Sequence, residues 1–145
     1  MALLDLVTKF FVQRYLAVGD EIPILPFLNI THVHNPGVAF GFLNGLPEAA
    51  RPYILAALAA AIGIWLIVQL RNTSADAKLE IAIMSVVLGG AVGNLINRVT
   101  LGHVTDFIDL HWQRQYHYPA FNIADIAICL GVVGMILGLA QSSRS

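Results

Sequence analysis

Charge is scarce in this 145-residue chain. Asp, Glu, Lys and Arg make up 12% of it and apolar types 57%. Soluble domains carry about 25% charge. The shortfall excludes an ordinary water-soluble domain and a disordered chain. Eight Lys and Arg stand against nine Asp and Glu. No basic face is left over to hold nucleic-acid phosphates, so no nucleic-acid partner is expected. Cys129 is the single cysteine, which excludes an internal disulfide and a cysteine-based zinc site. There is no internal repeat, no low-complexity stretch and no signal-peptide cleavage pattern near the start. Only the tail, Gln141 to Ser145, reads as disordered.

Long apolar runs are abundant instead. Residues 53–70 carry no charge over 18 positions, about 27 Å of helix and close to a bilayer core. Residues 79–99 are apolar except for Glu80 and Arg98 near the two ends, with Asn94 and Asn97 between. Residues 123–140 hold one charge, Asp125. Residues 1–18 are a weaker fourth span, carrying Asp5, Lys9 and Arg14. Asp5 and Lys9 lie i,i+4, so a helix puts them on one face where they pair. The expected fold class is therefore an all-α polytopic membrane protein, a single membrane domain over residues 1–145. Four transmembrane helices cover about 1–18, 53–70, 79–99 and 123–140. Arg71 and Lys78 place the 71–78 loop on the cytoplasmic side with both termini. The more acidic segments 19–52 and 100–121 are then outside.

The outer segments show turn and strand patterns. Residues 27–34 alternate and are rich in β-branched types. Asn35-Pro36-Gly37 is a turn signal, and residues 38–43 read as a returning strand. This predicts a small outer β-rich segment over about 22–44, followed by an outer loop over 100–121. Pro47 and Pro52 suit a helix start.

The informative residues are polar ones in greasy surroundings. Gly89 and Gly93 form a GxxxG pair that allows close helix contact. Gly90, Asn94 and Arg98 share a helix face. Arg98 could simply snorkel to headgroups, but Asn94, a turn deeper, needs partners. Asp125 lies just inside its apolar run, where a carboxylate costs on the order of 3 kcal/mol and marks a functional candidate. The bland alternative is a structural acid paired with Arg98 or Lys9. Asn122 and Asp125, i,i+3, face one spot. Asp106, in the outer segment, gains interest from Asp125. Two carboxyls brought together share a proton, one activating water as base and the other protonating the leaving amine. The rival is a zinc site among His32, His34, His103, His111 and His117, but no HExxH or CxxC spacing is present. Trp112, Tyr116 and Tyr118 also suit a membrane-interface belt. The charges gather at one membrane edge rather than lining a path across it, which argues against a channel.

These motifs, in this order, resemble those of the type II signal peptidases, the prolipoprotein signal peptidases of bacterial inner membranes. The pieces are DLVTK (Asp5 to Lys9), NPGVAF (Asn35 to Phe40), GGAVGNLINR (Gly89 to Arg98), GHVTDF (Gly102 to Phe107) and FNIAD (Phe121 to Asp125). The resemblance implies a four-helix membrane aspartic endopeptidase with an outer β-sheet cradle. It acts without a metal or other cofactor, at the outer face of the membrane. Its substrate is a prolipoprotein carrying diacylglycerol on a cysteine, cut on the amino side of that cysteine. By position, Asp106 and Asp125 would be the catalytic pair. Asn35, Gly37, Asn94, Arg98 and Asn122 would form the polar shell that holds acids and substrate, with Asp5 and Lys9 in support. Phe40 and Trp112 would clamp the substrate from outside. Asn97 stands where the family has Asp, and only Met1 to Leu4 precede the first motif. A catalytically impaired relative that binds precursors without turnover is the alternative.

Overall fold

A computed structural model of the chain describes residues 1–37, 45 and 47–142. It has four helices: α1 (Ala2–Tyr15), α2 (Arg51–Asn72), α3 (Lys78–Leu101) and α4 (Ile123–Ser142). Between them lie four strands: β1 (Glu21–Leu25), β2 (Leu28–Asn35), β3 (Val104–Trp112) and β4 (Tyr116–His117). The strands form one antiparallel sheet in the order β1-β2-β3-β4. The label all-α is therefore inexact: the small sheet expected beside the helices is present, with four strands. The segment 100–121, expected to be a loop, contains the strand that links the sheet to the site. The strand expected at 27–34 is β2. Its neighbours are β1 and β3, and the returning strand proposed at 38–43 lies outside the described residues. Gln141 and Ser142, expected to be disordered, belong to α4.

The burial pattern is inverted relative to a water-soluble domain. Leu58, Ile64 and Leu130 are 55–67% exposed, while Asp5, Lys9 and Asn122 are at 0–1%. A buried apolar cluster of Leu66, Met84 and Val87 joins α2 and α3, with Ile128 and Met135 of α4 against it. Helices that are apolar outside and polar inside are what a hydrocarbon solvent selects. α2 and α3 are each long and apolar enough to cross a bilayer. α1, of 14 residues, spans about 21 Å. It ends at Tyr15 rather than near 18, and Met1 lies against Gly89, halfway along α3.

Close helix approach depends on the α3 glycines. A Cβ on Gly89 would meet Met1, and one on Gly93 would strike the Asp5 carboxylate. A Cβ on Gly90 would come within 2.7 Å of the Ala124 carbonyl oxygen. The GxxxG pair thus seats α1, and Gly90 seats α4. At its C-terminal end α3 stops at Gly102, whose φ of 75° is left-handed, and the chain turns straight into β3.

β2 carries one extra residue between Ile30 and Val33. Below this bulge Ile30 faces Ile108; beyond it Val33 faces Asp106 and Asn35 faces Val104. Without it, His34 would take the place opposite Val104. The bulge thus puts the Asn35 side chain on the same face as Asp106.

Candidate active site

The site forms where the start of β3, the end of β2 and the first turn of α4 meet α1 and the C-terminal half of α3. Asn122 is the residue before α4, and it and Asp125 cap the helix reciprocally. Asn122 Oδ1 accepts from the Asp125 backbone N–H at 3.0 Å, and Asp125 Oδ2 accepts from the Asn122 backbone N–H at 3.1 Å. This is a capping box built from Asn and Asp. Asp5 Oδ1 accepts the next free N–H of the turn, that of Ala124, at 3.0 Å. The α4 terminus, with its partial positive charge, therefore faces two carboxylates.

Asp106 and Asp125 meet through Asn122. Its Nδ2 donates to Asp106 Oδ1 at 2.6 Å while its backbone N–H holds Asp125. Asn35 Nδ2 donates to Asp106 Oδ2 at 2.8 Å, and Asn94 Nδ2 donates to Asp125 Oδ1 at 2.8 Å. Each carboxylate oxygen thus has one donor and keeps lone-pair capacity for a proton or a water.

The three amides cannot turn round without losing a bond. Asn35 Oδ1 accepts from the Gly37 N–H at 2.8 Å, an Asx-type turn. Asn122 Oδ1 is held by the Asp125 N–H. Asn94 Oδ1 accepts from Lys9 Nζ at 2.7 Å, and Lys9 also pairs with Asp5 Oδ2 at 2.6 Å. Acceptors so occupied leave only NH2 groups to point at Asp106 and Asp125, so the amide assignment is set by donors that have no alternative.

Burial pushes the Asp106 carboxyl up from its ordinary value to about 6. Negative charge on Asp125 pushes the same way, while the bonds from Asn35 and Asn122 and the charge of Lys9 oppose it. Asp106 is 1% exposed, so desolvation dominates.

Of the residues singled out in the sequence, Asp5, Lys9, Asn35, Gly37, Asn94, Asp106, Asn122 and Asp125 are joined in this one network. Asp125 pairs with neither Arg98 nor Lys9; its partners are the two asparagines. Arg98 is half-buried close enough to feel both carboxylates, and its Nε is buried with no hydrogen-bond partner among the described residues. Phe40 lies outside the described residues, and Trp112 is exposed at the far end of β3. The histidines fall into two separate groups. His34 stacks on His103 at 3.6 Å between ring centroids with His32 beside it, while His111 and His117 lie 5.2 Å apart. Burial, then repulsion from neighbouring imidazoles, holds His34 below its ordinary pKa. Among the described residues no three His, Cys, Asp or Glu side chains are arranged to hold a metal ion.

Two positioning contacts escaped sequence reading. Asn97 Oδ1 accepts from the Thr105 N–H at 3.1 Å, fixing the chain one residue before Asp106. Gln13 Nε2 donates to Thr105 Oγ1 at 2.6 Å. The signal for Gln13 was available: it follows Asp5 and Lys9 at the same i,i+4 spacing. Beside Asp125, an apolar groove of about 350 Å³ runs down α4, lined by Leu110, Tyr118, Phe121, Ile126, Cys129 and Leu130.

Apolar helices around buried polar groups, with two bridged carboxylates beside a greasy groove, define a membrane protein with an acid-pair site. A family profile described as signal peptidase (SPase) II matches residues 1–141. The lipoprotein signal peptidase of Tolumonas auensis is 42% identical over 134 residues, covering 92% of this chain and 81% of that protein. That of Syntrophotalea carbinolica is 44% identical over 138 residues, covering 94% and 83%. A bacterial membrane enzyme solved by the in meso method superposes with a TM-score of 0.85 at 32% identity, covering 98% of this chain and 84% of that one. The chain belongs to the signal peptidase II family, a family of aspartic proteases.

Proposed function

We propose that this protein removes the signal peptide from diacylglyceryl-modified prolipoproteins, with Asp106 and Asp125 as its catalytic pair. The observation that carries the reading is the double hold of Asn122, side chain on Asp106 and backbone on Asp125. Asp106, the carboxyl raised by burial, holds the shared proton. Asp125, at the positive end of α4, takes a proton from water. The water oxygen attacks the carbonyl carbon on the amino side of the lipidated cysteine as Asp106 protonates the carbonyl oxygen. The tetrahedral adduct collapses, the C–N bond breaks, and the cysteine nitrogen leaves with a proton from the dyad. Neither the attack nor the collapse calls for a metal.

A lipid-anchored substrate reaches its enzyme from within the bilayer. The groove beside Asp125, open along α4, suits an acyl chain or the apolar signal segment. On this reading all four helices are membrane-embedded in the bacterial inner membrane. The sheet and dyad lie at the outer face, and the 71–78 loop and the end of α4 lie at the cytoplasmic face. Arg98, whose Nε has no partner among the described residues, would hold a substrate carbonyl. Asn35 and Asn122 hold Asp106, Asn94 holds Asp125, and Lys9 with Asp5 holds Asn94 and the α4 terminus.

Purified full-length protein, given a synthetic diacylglyceryl precursor in mixed micelles, should release the signal peptide and leave the unlipidated precursor uncut. No release, or equal cutting of both, overturns the assignment. The pH profile tests the proton placement. kcat/KM should fall above about pH 6 as the free enzyme loses the shared proton. The alkaline limb of kcat should lie higher, because bound substrate excludes more water from Asp106.

A catalytically impaired relative was the alternative suggested by Asn97. The bond made there, a side-chain oxygen accepting the Thr105 N–H, is one that Asn makes as well as Asp. Asn97→Asp should therefore leave kcat within about threefold, the spread of a retained hydrogen bond. A gain of a hundredfold would favour the impaired reading.

A further inference from the structure

Away from the dyad, the far end of the sheet holds a second polar assembly that the peptidase reading does not use. Asn29 faces Asp109 across β2 and β3, and His111 faces His117 across β3 and β4, so all four lie on one face of the sheet. They form a hydrogen-bond chain with fixed directions. The Arg114 N–H donates to His111 Nδ1 at 3.3 Å, so His111 carries its proton on Nε2 and donates to Asn29 Oδ1 at 3.3 Å. Asn29 Nδ2 donates to an Asp109 oxygen at 3.0 Å, and Asp109 accepts from His117 Nδ1 at 2.8 Å. Asn29, Asp109 and His111 are only 5–6% exposed. The chain starts at Arg114 and ends at His117, and both line a pocket of about 270 Å³ whose other walls include Glu21 and Asn29. Gln113 and Arg114 both adopt φ above 50°, so the β3–β4 turn that carries the guanidinium is a strained one.

The same end of the sheet borders the apolar groove with its opposite face. Leu110 and Tyr118 share that groove with Cys129 and Leu130, one to two turns below the start of α4. The far end of the sheet therefore leans over the flank of α4. At that end Phe27, Trp112 and Tyr116 are 53–72% exposed, the residue types that settle at a membrane–water boundary. Nothing in the peptidase chemistry requires buried Asp109 and His111 at that place.

We propose that the pocket of Glu21, Asn29, Arg114 and His117 binds the headgroup of an outer-leaflet phospholipid carrying a phosphodiester and a primary ammonium. The proposal rests on the membrane placement above. The Arg114 guanidinium and the His117 ring take the phosphate oxygens. Glu21, on the facing wall, takes the ammonium. Asp109 fixes the His117 ring by accepting from its Nδ1, a bond that raises the ring above the ordinary value for histidine and leaves Nε2 free to face the pocket. The sheet is thereby tied to the bilayer at the end opposite its junction with the helices.

Native mass spectrometry of the full chain in mixed micelles tests this, with phosphatidylethanolamine and phosphatidylcholine at equal concentration. Phosphatidylethanolamine adducts should exceed phosphatidylcholine adducts at least tenfold, because a trimethylammonium has no N–H for Glu21. The double variant Arg114→Gln/His117→Gln should lose those adducts at least tenfold while retaining detergent-phase cleavage and wild-type Tm. Glu21→Gln should keep lipid adducts but lose the preference between the two headgroups. Wild-type adducts on the double variant overturn the proposal. So does inorganic phosphate raising Tm as much as the lipid does, which would make the pocket a free-anion site. Lipid retention without any cleavage would instead sink the peptidase reading and leave the headgroup site standing.

Discussion

Asp106→Asn and Asp125→Asn should each lower kcat by 10³-fold or more, on the order of what a general acid or base contributes. The double variant should be no slower than either single one, because two groups that pass one proton act as a unit. The fold should survive. An Asn at 125 still offers an oxygen to the Asn122 N–H, keeping the helix cap. An Asn at 106 keeps one acceptor for two donors, costing about 1–3 kcal/mol. Release of signal peptide from a lipidated precursor measures the first effect, and thermal unfolding in detergent the second. Retained turnover in either single variant would remove the dyad from the mechanism, whatever family the chain belongs to.

Lys9→Met should cost the most stability, about 3–5 kcal/mol, the usual loss on breaking a buried ion pair by removing one partner. Lys9 and Asp5 are 1% and 0% exposed, so the stranded Asp5 carboxylate has no water to turn to. Asp5→Asn added to Lys9→Met should recover part of the loss. The second change removes the uncompensated charge and keeps an oxygen for the Ala124 N–H. Activity should not recover with it, because Asn94 has lost the cation that fixes its orientation toward Asp125. Stability and kcat would then separate in one double-mutant cycle. Parallel recovery of both would show that Lys9 serves the fold alone.

Short-range spacing made part of this legible. Asp5 with Lys9 and Asn122 with Asp125 are pairs one helical turn apart, and both form as their spacing implies. The α3 glycines were readable as close-contact positions, though not which glycine meets which helix. β3 was missed because Thr105, Asp106, Asp109 and His111 interrupt its apolar alternation. Those residues serve polar networks, and the period-two signal is weakest where a strand carries such networks. β1 falls within the β-rich segment expected over about 22–44 but was not legible as a strand of its own, because Pro23 sits in its middle, a residue that sheets accommodate at an edge. The contact of Asn35 with Asp106 spans 71 positions. No local pattern specifies it; it depends on the register of two strands and on a bulge within one of them.

That bulge has a chemical consequence. An unbulged β2 would turn a titrating imidazole, that of His34, toward Asp106 in place of a neutral carboxamide. The charge around the two acids would then follow histidine ionisation as well as their own. One surplus residue in a strand gives the acids a neighbour whose charge never changes, so no imidazole ionisation is added to that of the carboxyl pair itself.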